Sequence, residues 1–280
     1  MSENASKAVL ITGCSTGIGR ASAERLAQSG WTVYASAREL SAIEDLEQKG
    51  CRLLELNVCD DASARAAVEA VVAAEGAVGV LVNNAGFGQS GAIESVPIAR
   101  VRSQFETNVL GYTRMAQLVL PGMRRQGLGK IVNLSSVAGR VVMPGSGFYA
   151  ATKHAIEALS DALRFEVKGF GVDVIVIEPG PIRTRFTETA NAAIPDADPA
   201  YADYHEAVAK ADAETDESRL AGDPEDVAAT IEKAISARRP KTRYRVTAVA
   251  RLLPALKGVL PDRAFDAFLR TQAPAPESKD

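Results

Sequence analysis

The chain is predicted to fold as a single α/β domain, a doubly wound parallel sheet with helices on both faces. Short apolar runs of strand character alternate with segments of helical composition along its length. No Pro- or Gly-rich linker divides them into two domains. The first strand passes into its helix through a cluster of glycines, the kind of turn with which an open parallel sheet receives a pyrophosphate. With 280 residues, 46% of them hydrophobic, the chain can bury a large core.

Ala8-Val-Leu-Ile-Thr12 is the first strand, and Arg20-Ala-Ser-Ala-Glu-Arg-Leu-Ala-Gln carries the helix expected over about 17–29. Trp31-Thr-Val-Tyr-Ala-Ser-Ala37 reads as the second strand and 51–58 as the third. Further strands are expected at 78–83, 129–135 and 172–178, with a short last one near 243–248. Helices fill the intervals, notably 62–75, 98–126 and 147–168. This is a Rossmann-type order, in which ligands bind outside the carboxyl ends of the strands. Asn84 and Ser136 fall at such ends.

In Gly13-Cys-Ser-Thr-Gly17-Ile-Gly19, Gly13 allows the tight turn, Gly17 lets backbone approach phosphate oxygens, and Gly19 permits close packing of helix on sheet. The spacing is G-x-x-x-G-x-G rather than G-x-G-x-x-G. At the end of the second strand, where an acid would receive the ribose hydroxyls of NAD, stands Ala37 followed by Arg38. A guanidinium there can pair with a 2′-phosphate, which predicts NADP(H) in preference to NAD(H); the plainer reading is a surface arginine that caps the loop. Tyr149 and Lys153 are four residues apart, hence on one face of a helix, and Ser136 precedes the tyrosine by thirteen positions. A phenol beside an ammonium, with a hydroxyl to hold a carbonyl or alcohol oxygen, is a proton-transfer device, because the positive charge favours the phenolate.

These pieces, in this order, resemble the short-chain dehydrogenase/reductase family over roughly residues 7 to 240. Thr12-Gly13-Cys14-Ser15-Thr16-Gly17-Ile18-Gly19 is similar to the family's TGxxxGxG cofactor turn, so the resemblance places Ser15, Thr16 and Ile18 on the cofactor with the three glycines. Asn84-Ala85-Gly86, after Asn83, resembles the NNAG segment that holds the central sheet and lies near the adenine ribose. Asn57-Val58 resembles the adenine-contacting pair, with Asn in a position that members fill with Asp or Asn. Pro179-Gly180-Pro181-Ile182-Arg183-Thr184 is similar to the segment beside the nicotinamide, with Ile182 near the carboxamide and Thr184 near phosphate. Tyr149, Lys153 and Ser136 then take the catalytic roles, and Asn108 matches the helix asparagine of a water-linked proton relay.

The resemblance implies an oxidoreductase that reduces a carbonyl compound to an alcohol, or the reverse, and that assembles as a homo-oligomer through the helices at 98–126 and 147–168. Two other readings share the nucleotide fold: a dinucleotide-binding regulator without chemistry, and a nucleotide-sugar epimerase or dehydratase. The first has no need of tyrosine, lysine and serine together. The second uses an additional carboxy-terminal lobe that the length here does not provide for.

A formal charge of −3 argues against nucleic acid as a partner. Cys14, Cys51 and Cys59 with His154 and His205 form no metal-ligand pattern, so no metal is expected. Cys14 sits near a helix start, as a nucleophile could, but the turn already has a task in binding pyrophosphate. Three cysteines, no long apolar stretch and a start, Met1-Ser-Glu-Asn-Ala-Ser-Lys7, unlike a signal peptide lead to the expectation of a cytoplasmic protein.

Two segments lie outside the common pattern. Residues 185–222, with Pro195, Pro199, Tyr201 and Tyr204, correspond by position to a substrate lid. After a catalytic domain over 1–240, the extension 241–280 is basic: residues 238–270 hold nine Lys and Arg against two acids. Apolar residues interleave with these bases, as in a membrane-surface helix. Pro254 is expected to interrupt any long helix there, which favours packing on the domain or on a second subunit over peripheral membrane contact. The extension also resembles those of members acting on apolar aldehydes, retinoids or steroids, which implies an apolar substrate.

Overall fold

A computed structural model of the chain describes residues 6–194 and 199–271. Seven strands form one sheet in the order β3-β2-β1-β4-β5-β6-β7, and every pairing is parallel. They are β1 (Ala8–Ile11), β2 (Thr32–Ala37), β3 (Arg52–Glu55), β4 (Val80–Asn83), β5 (Gly129–Leu134), β6 (Val172–Pro179) and β7 (Arg243–Val246). All seven predicted strands are present, with ends shifted by a few residues.

The central strands β1 and β4 are buried along their whole length because both faces are covered, while the edge strands β3 and β7 carry charged residues. Val9, Ile11, Val82, Val132 and Ile177 point to one layer, which holds Leu26 of α1 (Gly17–Gln28) and Val227 and Ile231 of α8 (Pro224–Ser236). Leu10, Leu81, Ile131 and Val174 point to the other, against Val71 of α2 (Asp61–Glu75), Met115 and Met123 of α4 (Gly111–Gln126), and Val167 of α5 (Gly147–Val167). Strand order reverses between β1 and β4, so a crevice opens beyond their carboxyl ends.

Helix starts follow capping chemistry. Asp60 accepts from the Ser63 backbone N–H at 2.6 Å to begin α2, and Pro224 opens α8 behind Asp223, whose N–H donates to Asp226 at 3.0 Å. The single helix expected over 98–126 is three pieces end to end: α3 (Ile98–Phe105), a π turn (Glu106–Leu110) and α4. At the junction, a Cβ on Gly111 would come within 2.9 Å of Val58 Cγ2, so the close approach of α4 to the end of β3 requires glycine.

The segment 185–222 contains α6 (Phe186–Asn191) and α7 (Ala202–Glu217), while Pro195 lies outside the described residues. Beyond β7 come α9 (Ala248–Val259) and α10 (Asp262–Arg270). The expectation that Pro254 ends the helix is corrected here: α9 runs through it, and the break falls at Leu260-Pro261. A proline in a helix removes one backbone hydrogen bond, and α9 offsets that by burying Ala250 against the body of the protein. Among the described residues no helix is long and apolar enough to cross a membrane.

Candidate active site

The crevice is a cleft of about 1400 Å³ along the carboxyl edge of the sheet. At one end lies the glycine turn, with Gly13, Ser15, Thr16, Gly17 and Ile18 on its wall and Arg38 beside them. Gly13 and Gly17 have φ of +74° and +58°, a region that favours glycine. A Cβ on Gly19 would lie 2.3 Å from the Gly13 carbonyl oxygen and 2.4 Å from Asn84 Nδ2, so Gly19 acts behind the wall by letting α1 close on the turn.

Asn84 holds that turn open. Its Nδ2 donates to the carbonyls of Thr12 and Gly13, both at 2.9 Å. Thr12 Oγ1 in return accepts from the backbone N–H groups of Asn84 and Ala85, both at 3.0 Å. The end of β4 and the end of β1 are thereby fixed to one another, and Asn84, Ala85 and Gly86 line the cleft floor. Asn57 and Val58 line it beyond β3; Asn57 Oδ1 accepts from the Cys59 N–H at 3.0 Å, which sets the turn. Pro179, Gly180, Ile182 and Thr184 also line the cleft, and Thr184 comes up to the glycine turn, where a Cβ on Gly17 would stand 3.3 Å from its Cγ2. A pyrophosphate with its two nucleosides fits this cradle: there is room for backbone to approach phosphate, and Arg38 is exposed at the rim.

Ser136, Tyr149 and Lys153 meet in the same cleft. Burial pushes the Tyr149 phenol up to about 12, while the Ser136 hydroxyl pulls it back. Lys153 is 4% exposed, and burial brings its ammonium down to about 8 against the opposing charge of Glu157. Its Nζ donates to the Leu134 carbonyl at 2.7 Å and lies 5.6 Å from the centre of the Tyr149 ring. The ammonium thus faces the phenol without bonding to it. Burial outweighs the Ser136 hydroxyl at Tyr149, and the acidifying effect anticipated from the lysine is not among the influences on the phenol in this structure.

Asn108 stands apart from the cleft wall. It is fully buried in the π turn, donates from Nδ2 to the Phe87 carbonyl at 3.0 Å and to Thr152 Oγ1 at 3.2 Å, and accepts the Phe87 N–H on Oδ1 at 3.1 Å. Thr152 precedes Lys153, and no hydrogen bond joins Asn108 to Lys153 among the described residues. Cys14 is fully buried and its thiol is pushed up to about 12, the opposite of an activated nucleophile. No group of acids, histidines and cysteines that could hold a metal occurs among the described residues.

Several residues that sequence reasoning passed over complete the site. Phe186 of α6 packs on Tyr149 with ring centres 5.2 Å apart. Met143, Val208, Val249, Leu253 and Phe268 give the outer cleft an apolar wall drawn from the loop before α5, from α7 and from both terminal helices. No local sequence signal marks them, since each is an ordinary apolar residue until the fold assembles them.

A family model described as short chain dehydrogenase matches residues 7–195. The chain is 37% identical over 268 residues to the NADPH-dependent 3-dehydrocapnine reductase of Ornithobacterium rhinotracheale, with 92% of this chain and 94% of that one covered. It is 36% identical over 264 residues to the 3-ketodihydrosphingosine reductase of Bacteroides thetaiotaomicron, covering 94% and 96%. A crystal structure of a short-chain dehydrogenase from Streptomyces avermitilis superposes with a TM-score of 0.80 at 34% identity, covering 97% of this chain and 98% of that one. The chain belongs to the short-chain dehydrogenase/reductase family and is an oxidoreductase that works between carbonyl and alcohol with a nicotinamide dinucleotide.

Proposed function

We propose that this short-chain dehydrogenase/reductase reduces an apolar aldehyde or ketone to its alcohol, or runs the reverse oxidation, with NADP(H) in preference to NAD(H). The observation that carries the reading is the meeting of Ser136, Tyr149 and Lys153 in one cleft with the glycine turn and Arg38. Gly13, Ser15, Thr16, Gly17 and Ile18 would hold the pyrophosphate, with Gly19 behind them. Arg38 would pair with the 2′-phosphate as a charge-assisted fork. Asn57 and Val58 would face the adenine, Asn84, Ala85 and Gly86 the adjoining ribose, and Pro179, Gly180, Ile182 and Thr184 the nicotinamide end. The dinucleotide, when bound, supplies or takes up the hydride.

Ser136 orients the substrate oxygen and Tyr149 gives it a proton. A phenol at about 12 is a weak donor by itself, so the nearby Lys153 charge is needed to favour the phenolate that remains. Lys153 also holds the nicotinamide ribose, and Asn108 would connect it to bulk water in the relay that restores the proton. The apolar wall of Met143, Val208, Leu253 and Phe268 supports an apolar substrate. The names of the two reductase relatives point to carbonyl reduction, and one of them is described as NADPH-dependent. In this reading α6 and α7 form a lid that excludes water.

The test is a spectrophotometric screen of NADPH and NADH against aliphatic aldehydes, steroid ketones and retinal. NADPH should be consumed with an apolar carbonyl, and Tyr149→Phe should lower kcat by about 10²–10⁴-fold. Undiminished turnover by that variant refutes the proton-donor role, and equal use of NADH refutes the cofactor preference.

A further inference from the structure

One turn beyond Lys153 on α5, Glu157 is 5% exposed, a position in which a carboxylate is costly unless compensated. Its main compensation comes from the last strand. Arg243 Nε of β7 donates to Glu157 Oε2 at 2.9 Å, and Arg243 Nη2 reaches both oxygens of Asp161, one more turn along α5, at 2.7 Å. The same Arg243 Nε lies 3.3 Å from Glu178 Oε1 at the end of β6, and Arg245 Nε donates to Glu178 Oε2 at 2.9 Å. Arg164 bonds to the outer side of Asp161. Two of the bases counted in the basic extension are therefore partnered within the fold.

The other elements around Glu157 add no positive charge. Ser135, at the end of β5, turns its hydroxyl to the carboxylate without reaching full hydrogen-bond geometry, and Glu157 Oε1 is left without a hydrogen-bond partner. Gly139 closes the space: a Cβ there would stand 2.6 Å from Ser135 Oγ and 3.1 Å from Glu157 Cγ. The neighbouring carboxylate of Glu178 raises the Glu157 pKa, as burial does, and Ser135 and Arg243 lower it.

Around the Lys153 ammonium stand the Leu134 carbonyl of β5 and the rings of Tyr112 of α4, at 5.5 Å, and Tyr149, at 5.6 Å. Burial raises the pKa of both phenols, which keeps them neutral. Glu157 lies one turn along α5 from this lysine, and both are buried. They form no ion pair, but charges in a buried setting act on one another beyond contact distance, and this one opposes the burial that discharges the lysine.

We propose that Glu157 is a positioning residue for Lys153: clamped by Arg243, it supplies the buried negative charge that keeps the ammonium charged and held at the cleft. The inference rests on the reading of Lys153 as the group that holds the nicotinamide ribose. It ties the site to β7, so the last strand serves the chemistry as well as the sheet.

The test needs no substrate. The affinity for NADPH is followed by its fluorescence as pH rises from neutral, in the wild type, Lys153→Met, Glu157→Gln and Glu157→Asp. Wild-type affinity should fall with a midpoint where Lys153 loses its proton, and Lys153→Met should abolish that midpoint. Glu157→Gln should move it down by about one pH unit, a tenfold change in the proton-binding constant, whereas Glu157→Asp, which keeps the charge, should restore it. Should Glu157→Gln not accumulate folded, Glu157→Met, which also removes the charge at similar volume and leaves Arg243 its partners Asp161 and Glu178, carries the same expectation. A midpoint that persists in Lys153→Met overturns the reading of the lysine, and the inference with it. A midpoint lost in Lys153→Met but unmoved in the variants without the charge overturns the role of Glu157 alone.

Discussion

Arg38 and Thr247 each carry a prediction at the scale of one residue. Arg38 is exposed at the cleft rim, and hydrogen bonds to a charged group contribute about 1.5–3 kcal/mol. Arg38→Ala should therefore raise the KM for NADPH about ten- to hundredfold and leave that for NADH within about twofold, as steady-state kinetics with both cofactors will report. Thr247, with φ 85° and ψ 160°, is the one non-glycine residue of positive φ among the described residues. That region belongs to glycine, and a β-branched side chain is strained there. The strain is retained because Thr247 Oγ1 accepts from the Ala250 N–H at 3.4 Å, capping α9, and lies where a Cβ on Gly180 would stand only 2.2 Å away. Alanine would lose the cap and keep the strain, whereas glycine would lose the cap and release it. Thr247→Gly should then be more stable than Thr247→Ala by about 1–3 kcal/mol in urea unfolding. The opposite order would mean that the backbone there is not strained.

Among the elements, α7 is tied down by aromatic side chains. His205 Nε2 accepts the Ala92 N–H at 3.0 Å, His205 stacks on Tyr201 with ring centres 6.0 Å apart, and Tyr204 OH accepts the Gly145 N–H at 2.6 Å. Only a neutral imidazole can accept that bond, and burial lowers the His205 pKa below its ordinary value. The unfolded chain binds the proton more tightly, so this contribution is full at high pH and is lost as pH falls through about 6.5, the value for free histidine. Asp212 on the same helix works in the other direction. Burial raises its carboxyl to about 6, so the folded chain binds that proton more tightly and gains stability as pH falls. His205→Gln retains an acceptor that does not titrate. The ratio of wild-type to variant proteolysis rates within 185–222 should therefore rise as pH is lowered from about 8 to about 5.5, and a constant ratio would remove His205 from the latch. The π turn and the passage of α9 through Pro254 belong to this scale too. Both depend on what the helix packs against, Val58 in one case and the cleft wall in the other, and neither leaves a local mark in the sequence.

At the scale of the molecule, what was legible in the sequence is what is local or periodic. β1, β4 and the middle of β6 announce themselves because a strand covered on both faces is mostly apolar, and the glycine turn because φ near +74° at Gly13 favours glycine. The spacing of Tyr149 and Lys153 survives as geometry because a helix converts four residues into one face. What stayed hidden depends on distant residues meeting. The clamp of Arg243 on Glu157 joins positions 86 residues apart, and the apolar outer cleft draws on the loop before α5, on α7 and on both terminal helices. The same limit applies to the expected homo-oligomer, where the structure adds one asymmetry. On α5 Leu159 is 44% and Phe165 82% exposed, and Leu110 of the π turn that meets the start of this helix is 49% exposed. Scattered exposed apolar side chains are ordinary, but three on neighbouring helices suit a self-complementary contact across a two-fold axis. Phe165→Glu places like charges opposite each other at such a contact while touching nothing in the core. It should shift the mass in light scattering from an oligomer toward the monomer, with a change in monomer stability within about 0.5 kcal/mol. A wild-type chain of monomer mass, or an oligomer indifferent to the substitution, would place the subunit contact elsewhere.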